Sequence, residues 1–419
     1  MRRQPLKLLT NLAYAKGAYT VAIEFGSAGR SAQLLLDTGS SALAVLTHAY
    51  DGAADTYLQG TTLAQRVEYG QGAWAGPVLR SAVAFGTGEH ARRIDDGMFA
   101  LIETAASNFR DADGILGLAF GGLDHARDLV SYLAEQGRSP QLTWPWPFDL
   151  TSDAGRAEFD ALLHQQPRAS VQPLFTALEV EGVVADKFSL LIRRALVHVL
   201  DDSASDAALA ADPLNRGLLI LGGGEECAQL YSGKLQDIRV LHELYYNVQL
   251  IAVQVADRPR IPAPALQQQY RAHYASNAII DSGCSFLVLE KSIYDAVLVD
   301  LAQHDEGLVP LIERFQQTMT QQQGIPNQAI DPRDWPDLRF YLESPNGEET
   351  MLVCRPAHYW QRNALRAGQS WFLLMSQLPD WPQQSILGLP LMSGHYCIFD
   401  RRADANGIVR MATAREVDI

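Results

Sequence analysis

The chain has 419 residues, 47% hydrophobic and 20% charged, a balance that excludes a disordered protein and suits two domains or one large two-lobed unit. Its 34 Lys and Arg against 48 Asp and Glu leave a net charge of −14, which repels phosphate backbones and anionic lipid, so neither nucleic acid nor a membrane is expected as a partner. No apolar run reaches the ~20 residues needed to span a bilayer.

The basic start has a short apolar patch that Asn11 and Lys16 interrupt, so it does not make the apolar region of a cleaved signal. Short β-branched and aromatic runs then predict strands at Ala18–Phe25 and Ser31–Leu36. Leu129 and Leu133, at i and i+4, predict a helix over Arg127–Glu135. Thr143–Ser152 (TWPWPFDLTS) is read as a loop, because Pro145 and Pro147 forbid a regular element. Phe159, Leu162 and Leu163 predict a helix over Arg156–Gln165. The acidic, Ala-rich Asp201–Pro213 is read as a loop. Strands are expected at Gly217–Leu221 and Tyr246–Val255, helices at Lys291–Gln303 and Gly307–Gln322, a loop at Gln323–Trp335 and a strand at Arg339–Leu342. The fold class is therefore mainly β, with helices inserted, and residues 121–172, 201–213 and 323–335 read as surface insertions. The four cysteines (Cys227, Cys284, Cys354 and Cys397) lie far apart with no C-x-x-C pair, and no Asn-x-Ser/Thr acceptor occurs. Both features lean towards a reducing, cytoplasmic compartment.

An internal repeat carries the functional signal. Leu35–Val45 reads LLDTGSSALAV and Ile279–Leu289 reads IIDSGCSFLVL. In each half an ILGL follows, at Ile115–Leu118 and again at Ile386–Leu389. Two copies of one pattern in one order predict two similar lobes related by a pseudo-two-fold axis, residues 1–182 and 183–419. In each copy a buried strand ends in Asp, and the following Thr/Ser-Gly makes a tight turn in which the backbone can approach the carboxylate. A single Asp-Thr-Gly is ordinary turn chemistry. Two in matching contexts would meet at the axis, where close carboxylates cannot both ionise easily and hold one proton between them. The ionised member can take a proton from water while the protonated one donates to a carbonyl oxygen, which is hydrolysis without a metal or other cofactor.

These motifs resemble those of the pepsin-like aspartic proteases. Asp37-Thr38-Gly39-Ser40 and Asp281-Ser282-Gly283, with Ser285 after them, look like the two catalytic loops. Asp113–Phe120 (DGILGLAF) and Ser385–Leu389 (SILGL) look like the apolar loops that the catalytic strands pass. Tyr69-Gly70-Gln71-Gly72 looks like the flap tip. Asp186–Ser189, Gly217–Gly224, Tyr231–Leu235, Trp335–Asp337, Leu338–Phe340 and Ile398–Arg401 follow in the family's order. The resemblance runs from about residue 5 to about residue 413 and is closest to the minimal bacterial homologues. It implies a bilobal fold with a central cleft and endopeptidase activity on extended peptide or protein substrates. It further implies inhibition by statin-type transition-state analogues, catalysis by Asp37 and Asp281, and substrate contacts from the flap, Leu35, Ile115 and Ile279. A monomer without a zymogen stage is expected, because the chain begins almost at the first mature strand.

Departures from the family pattern are local. No Trp follows Asp37–Ser41 to support the flap tyrosine, where Ala42–Val45 stand instead, and Trp74 is the candidate substitute. Cys284 stands where Thr is common, and Leu389 where many acid-acting members carry Asp. Counting back from DGILG places Ala106 and Ala112 at the aromatic walls of the primary pocket, which predicts room for Phe or Leu before the cut. No H-E-x-x-H, Lys-bearing phosphate loop or G-x-S-x-G elbow is present. The competing reading is a pepsin-fold protein that has lost catalysis and binds peptides or acts as an inhibitor.

Overall fold

The computed structural model describes residues 4–69, 72–86, 91–105, 109, 111–379 and 381–418. The fold is mainly β, and its residue contacts divide it into two compact units. One is Thr20–Ala185; the other is Asp186–Ile419 with the N-terminal segment that ends at Tyr19. This corrects the assignment of that segment to the first lobe. The strand Leu6–Asn11 pairs antiparallel with Arg216–Leu221, from Leu6 opposite Leu221 to Asn11 opposite Arg216. The Tyr19 hydroxyl then accepts from the N–H groups of Arg193 and Arg194 at 3.0 and 3.2 Å.

The first unit is a sheet whose neighbours run Arg168–Ser170, His125–Asp128, Gln59–Tyr69, Gly72–Phe85, Arg92–Ile102, Leu43–Leu46, Gly114–Gly117, Arg30–Asp37, Thr20–Phe25. Alternation builds its core: Ala32, Leu34 and Leu36 are buried while Gln33 and Leu35 are only half-buried. Phe25, Tyr50 and Phe99 pack edge-on, Phe99 lying 5.0 Å from each of the other two rings. In the second unit, Leu6–Asn11, Arg216–Leu221, Lys187–Leu191, His395–Asp400, Ile408–Ala414 and Tyr231–Arg239 are successive neighbours, and three smaller sheets complete it. Trp335, Tyr359, Trp360 and Phe372 form its aromatic centre, with Trp335 and Trp360 5.1 Å apart.

Several elements differ from expectation. Arg127 and Asp128 are in a strand, opposite Ala64 and Leu63, and the helix begins only at Val130. Asp201–Pro213 is not wholly a loop, since Asp206–Ala211 is helical and Ser205 Oγ accepts from Ala208 N–H. Tyr246–Val255 is broken into Asn247–Val248 and Leu250–Val255, which belong to different sheets. Among the described residues no helix is long and apolar enough to cross a membrane.

Candidate active site

In the first unit the strand Arg30–Asp37 runs parallel to Gly114–Gly117, with Leu35 opposite Ile115 and Asp37 opposite Gly117. The chain turns through Thr38–Ser41 and returns as Leu43–Leu46, antiparallel to the same strand on its other side. The loop is knitted to the ILG segment by Leu118 N–H on Asp37 O (2.7 Å), Ala119 N–H on Ser40 O (2.8 Å) and Gly117 N–H on Ala42 O (2.9 Å). Gly39 N–H donates to Asp37 Oδ1 at 2.7 Å, fixing the carboxylate to its own turn. Asp37, Thr38 and Ser40 are buried, and Ser41 Oγ donates to Phe120 O. Asp113 secures the start of the ILG strand, accepting from Gln33 N–H at 2.7 Å.

The second unit repeats the construction. Ala278–Ile280 runs parallel to Ser385–Leu387, and Leu287–Leu289 returns antiparallel to it. Gly283 N–H donates to Asp281 Oδ1 at 2.8 Å. Leu389 N–H donates to Cys284 O at 2.9 Å and Asp281 N–H to Leu387 O at 3.2 Å. Ser282 is buried, Asp281 is half-buried, and Ser285 Oγ donates to Gly17 O. Cys284 Sγ lies 3.3 Å from Phe286 O, turned to its own loop.

Strand alternation gives the apolar neighbours their place. Leu35 has the parity of Asp37, and the parallel register puts Ile115 beside it on that face; Ile279 and Ile386 stand likewise on the face of Asp281. Gln59–Tyr69 and Gly72–Phe85 form a hairpin that closes with Tyr69 opposite Gly72. Gly70 and Gln71 lie outside the described residues, as does Ala106. Trp74 is buried on the hairpin, opposite Val67 and Ala105, and Ala112 is buried in the first unit. The motifs gave no sign of Gln65 and Asp124, a buried pair in which the amide donates to the carboxylate at 2.5 Å. Neither lies in a repeated motif, and only folding brings the hairpin strand to the loop after the ILG segment.

The model of the family described as eukaryotic aspartyl protease matches residues 18–137 and 175–413. The chain belongs to that family. A protein named beta-secretase, from Strongylocentrotus purpuratus, is 22% identical over 410 residues, covering 94% of this chain and 66% of the relative. The chain thus spans just under two thirds of the length of that relative. The family match passes over 138–174, which holds the Pro- and Trp-rich segment and the helix Asp153–Gln165.

Proposed function

We propose that the protein is an aspartic endopeptidase in which Asp37 and Asp281 together hold one water and one proton. The observation that carries this reading is the shared build of the two turns: an Asp at the end of a strand parallel to an ILG strand, with a glycine N–H on its Oδ1. The ionised carboxylate takes a proton from the water as its oxygen adds to the peptide carbonyl carbon, and the protonated carboxylate donates to the carbonyl oxygen. The resulting diol gives one hydroxyl proton to the carboxylate that is now ionised as the C–N bond breaks, and the amine leaves with the proton held by the other carboxyl, which restores the one-proton pair. The glycine N–H groups hold each carboxylate in one orientation, so no reorganisation is needed during the step.

The hairpin ending at Tyr69 covers the extended substrate and excludes water. Leu35, Ile115 and Ile279 supply apolar contact beside the carboxylates, and the small, buried Ala112 leaves room for Phe or Leu before the cut. A monomer in the reducing cytoplasm suits an enzyme whose cysteines Cys227, Cys354 and Cys397 are buried. The test is digestion of a denatured protein with and without a statin-type inhibitor. Inhibitor-sensitive cleavage with bulky residues before the cut is expected. Inhibitor binding without any cleavage favours the non-catalytic peptide-binding alternative.

A further inference from the structure

The hairpin that carries Tyr69 is irregular at its root. Ala64 stands opposite Pro77 and Gly60 opposite Leu79, so Thr61, Thr62 and Leu63 face the single residue Val78. Such a bulge leaves carbonyls without ladder partners, and Pro77 has no N–H to offer. Within the bulge, Thr61 Oγ1 donates to Val78 O and accepts from Leu63 N–H at 3.0 Å. The three bulge carbonyls turn to residues beyond the ILG segment. Leu129 N–H donates to Thr62 O at 2.9 Å, and Thr143 N–H to Thr61 O at 2.9 Å. Thr143 Oγ1 lies 2.8 Å from Leu63 O and 3.0 Å from Thr61 O. Its single hydrogen suits Leu63 O, because Thr61 O already has the Thr143 N–H. Thr143 is wholly buried, so no water can replace it. A second tie lies nearer the tip: Arg66 Nε is 2.6 Å from Asp160 Oδ1, a half-exposed and therefore weaker contact. Thr143 and Asp160 both fall in the stretch that the family model passes over.

We propose that Thr143 is a positioning residue for peptide binding. By completing the hydrogen bonds of the bulge at Thr61–Leu63, it fixes the angle at which the Tyr69 arm meets the substrate. The proposal rests on the reading of this hairpin as the substrate-covering flap. The inserted segment then sets affinity for extended peptides without touching them.

The test compares Thr143→Val, which keeps the shape and loses Oγ1, with Thr143→Ser, which keeps the hydroxyl. Peptide kinetics and amide hydrogen exchange over residues 59–69 are measured on the full chain. Thr143→Val is expected to raise KM about fivefold with kcat changed less than about twofold, and to speed exchange in that strand about tenfold. Thr143→Ser should restore both. Faster exchange with unchanged KM makes Thr143 merely structural and overturns the proposal, as does unchanged exchange. Should Thr143→Val not fold, Thr143→Ala serves, since it also loses Oγ1: a raised KM with faster exchange over residues 59–69 supports the proposal, and either one unchanged overturns it. A wild-type chain that neither cleaves peptides nor binds a statin-type inhibitor sinks the peptidase reading instead, and exchange over 59–69 alone then decides whether the clamp exists.

Discussion

Gly117 and Gly388 show how little space the two Asp-bearing loops leave. A Cβ on Gly117 would lie 2.4 Å from the Ser41 carbonyl carbon, and one on Gly388 2.3 Å from Phe286 O. Both obstacles are backbone, so neither can rotate away. Gly117→Ala or Gly388→Ala should therefore cost about 3 kcal/mol or more in urea denaturation. A loss under about 1 kcal/mol would mean the loops can shift. On the proposed reading, Asp37→Asn and Asp281→Asn should each reduce turnover by orders of magnitude with the circular dichroism spectrum unchanged, because the amide keeps the shape and can no longer take up or give the proton. Near-normal turnover in either variant removes that residue from catalysis. Asp124 obeys different physics. Burial pushes its carboxyl up to about 7, and the hydrogen bond from Gln65 opposes this only in part. A raised folded pKa means stability fully present below the unfolded value of 3.8 and lost as pH rises through about 7. Asp124→Asn should exceed the wild type at pH 8, by up to about 4 kcal/mol, and match it below about pH 4. Equal stability at pH 8 would show that Asp124 ionises without cost.

At the scale of elements, the segment that the family match passes over is held by aromatic packing as well as by Thr143. The Phe159 ring lies 4.8 Å from Phe148 and 5.5 Å from Trp146, over a cluster with Ala64, Ala75, Leu129, Leu133, Leu150 and Leu163. Phe159→Ala should cost about 3–5 kcal/mol, read as a shift of the denaturation midpoint. Ala64 and Ala75 belong to the hairpin strands, so the same variant should also loosen the hairpin. The element errors made from sequence have physical causes. The Leu129–Leu133 spacing is helical, but Arg127 and Asp128 find strand partners in Ala64 and Leu63, and pairing overrides a pattern that began two residues too early. The helix at Asp206–Ala211 was legible: Ser205 followed by Asp206 and an Ala-rich run is an N-terminal signal, and the acidic composition hid it.

Over the whole molecule, titrating groups pull in opposite directions. Burial holds His358 down to about 4 and His395 below its ordinary value of 6.5. His358 therefore stays neutral in the fold and its stabilising contribution falls as pH drops from 6.5 towards 4, His395 acting in the same direction, while Asp124 makes stability rise over much the same window. Below that range Asp55 decides the sign. Burial raises its carboxyl, but hydrogen bonds from Ser81, Tyr50 and the Tyr57 and Ser27 N–H groups outweigh this and bring it to about 2. In Asp400 burial is likewise outweighed, by Arg410 and Lys187. Depressed carboxylates give stability that is present above 3.8 and lost as pH falls through about 2. A broad plateau from about pH 4 to 7 with a steep fall beneath it is expected. Activity should be best in mild acid and should disappear in strong acid together with the circular dichroism signal. Activity lost while the fold persists would assign the acid limb to the carboxylate pair instead.

Sequence alone determined whatever is local or repeated. The strand ending in Asp37, the turn that places Gly39 N–H on it, and their second copy at Asp281 follow from a few adjacent residues, because a buried strand and a glycine turn need no distant partner. The mainly β class and the helices at 153–165 and 291–304 were legible for the same reason. Tertiary structure decided what depends on pairing between distant segments. The first strand joins the second unit because its register with Arg216–Leu221 is complete, and no pattern within Leu6–Asn11 names that partner. Thr143 stood at the edge of a proline-rich loop, and Asp124 within the 121–172 stretch read as a surface insertion. Their roles come from carbonyls and an amide some 60 to 80 residues away, at Thr61, Leu63 and Gln65. A hydrogen bond across that separation leaves no periodicity in the chain, so only the folded backbone could reveal it.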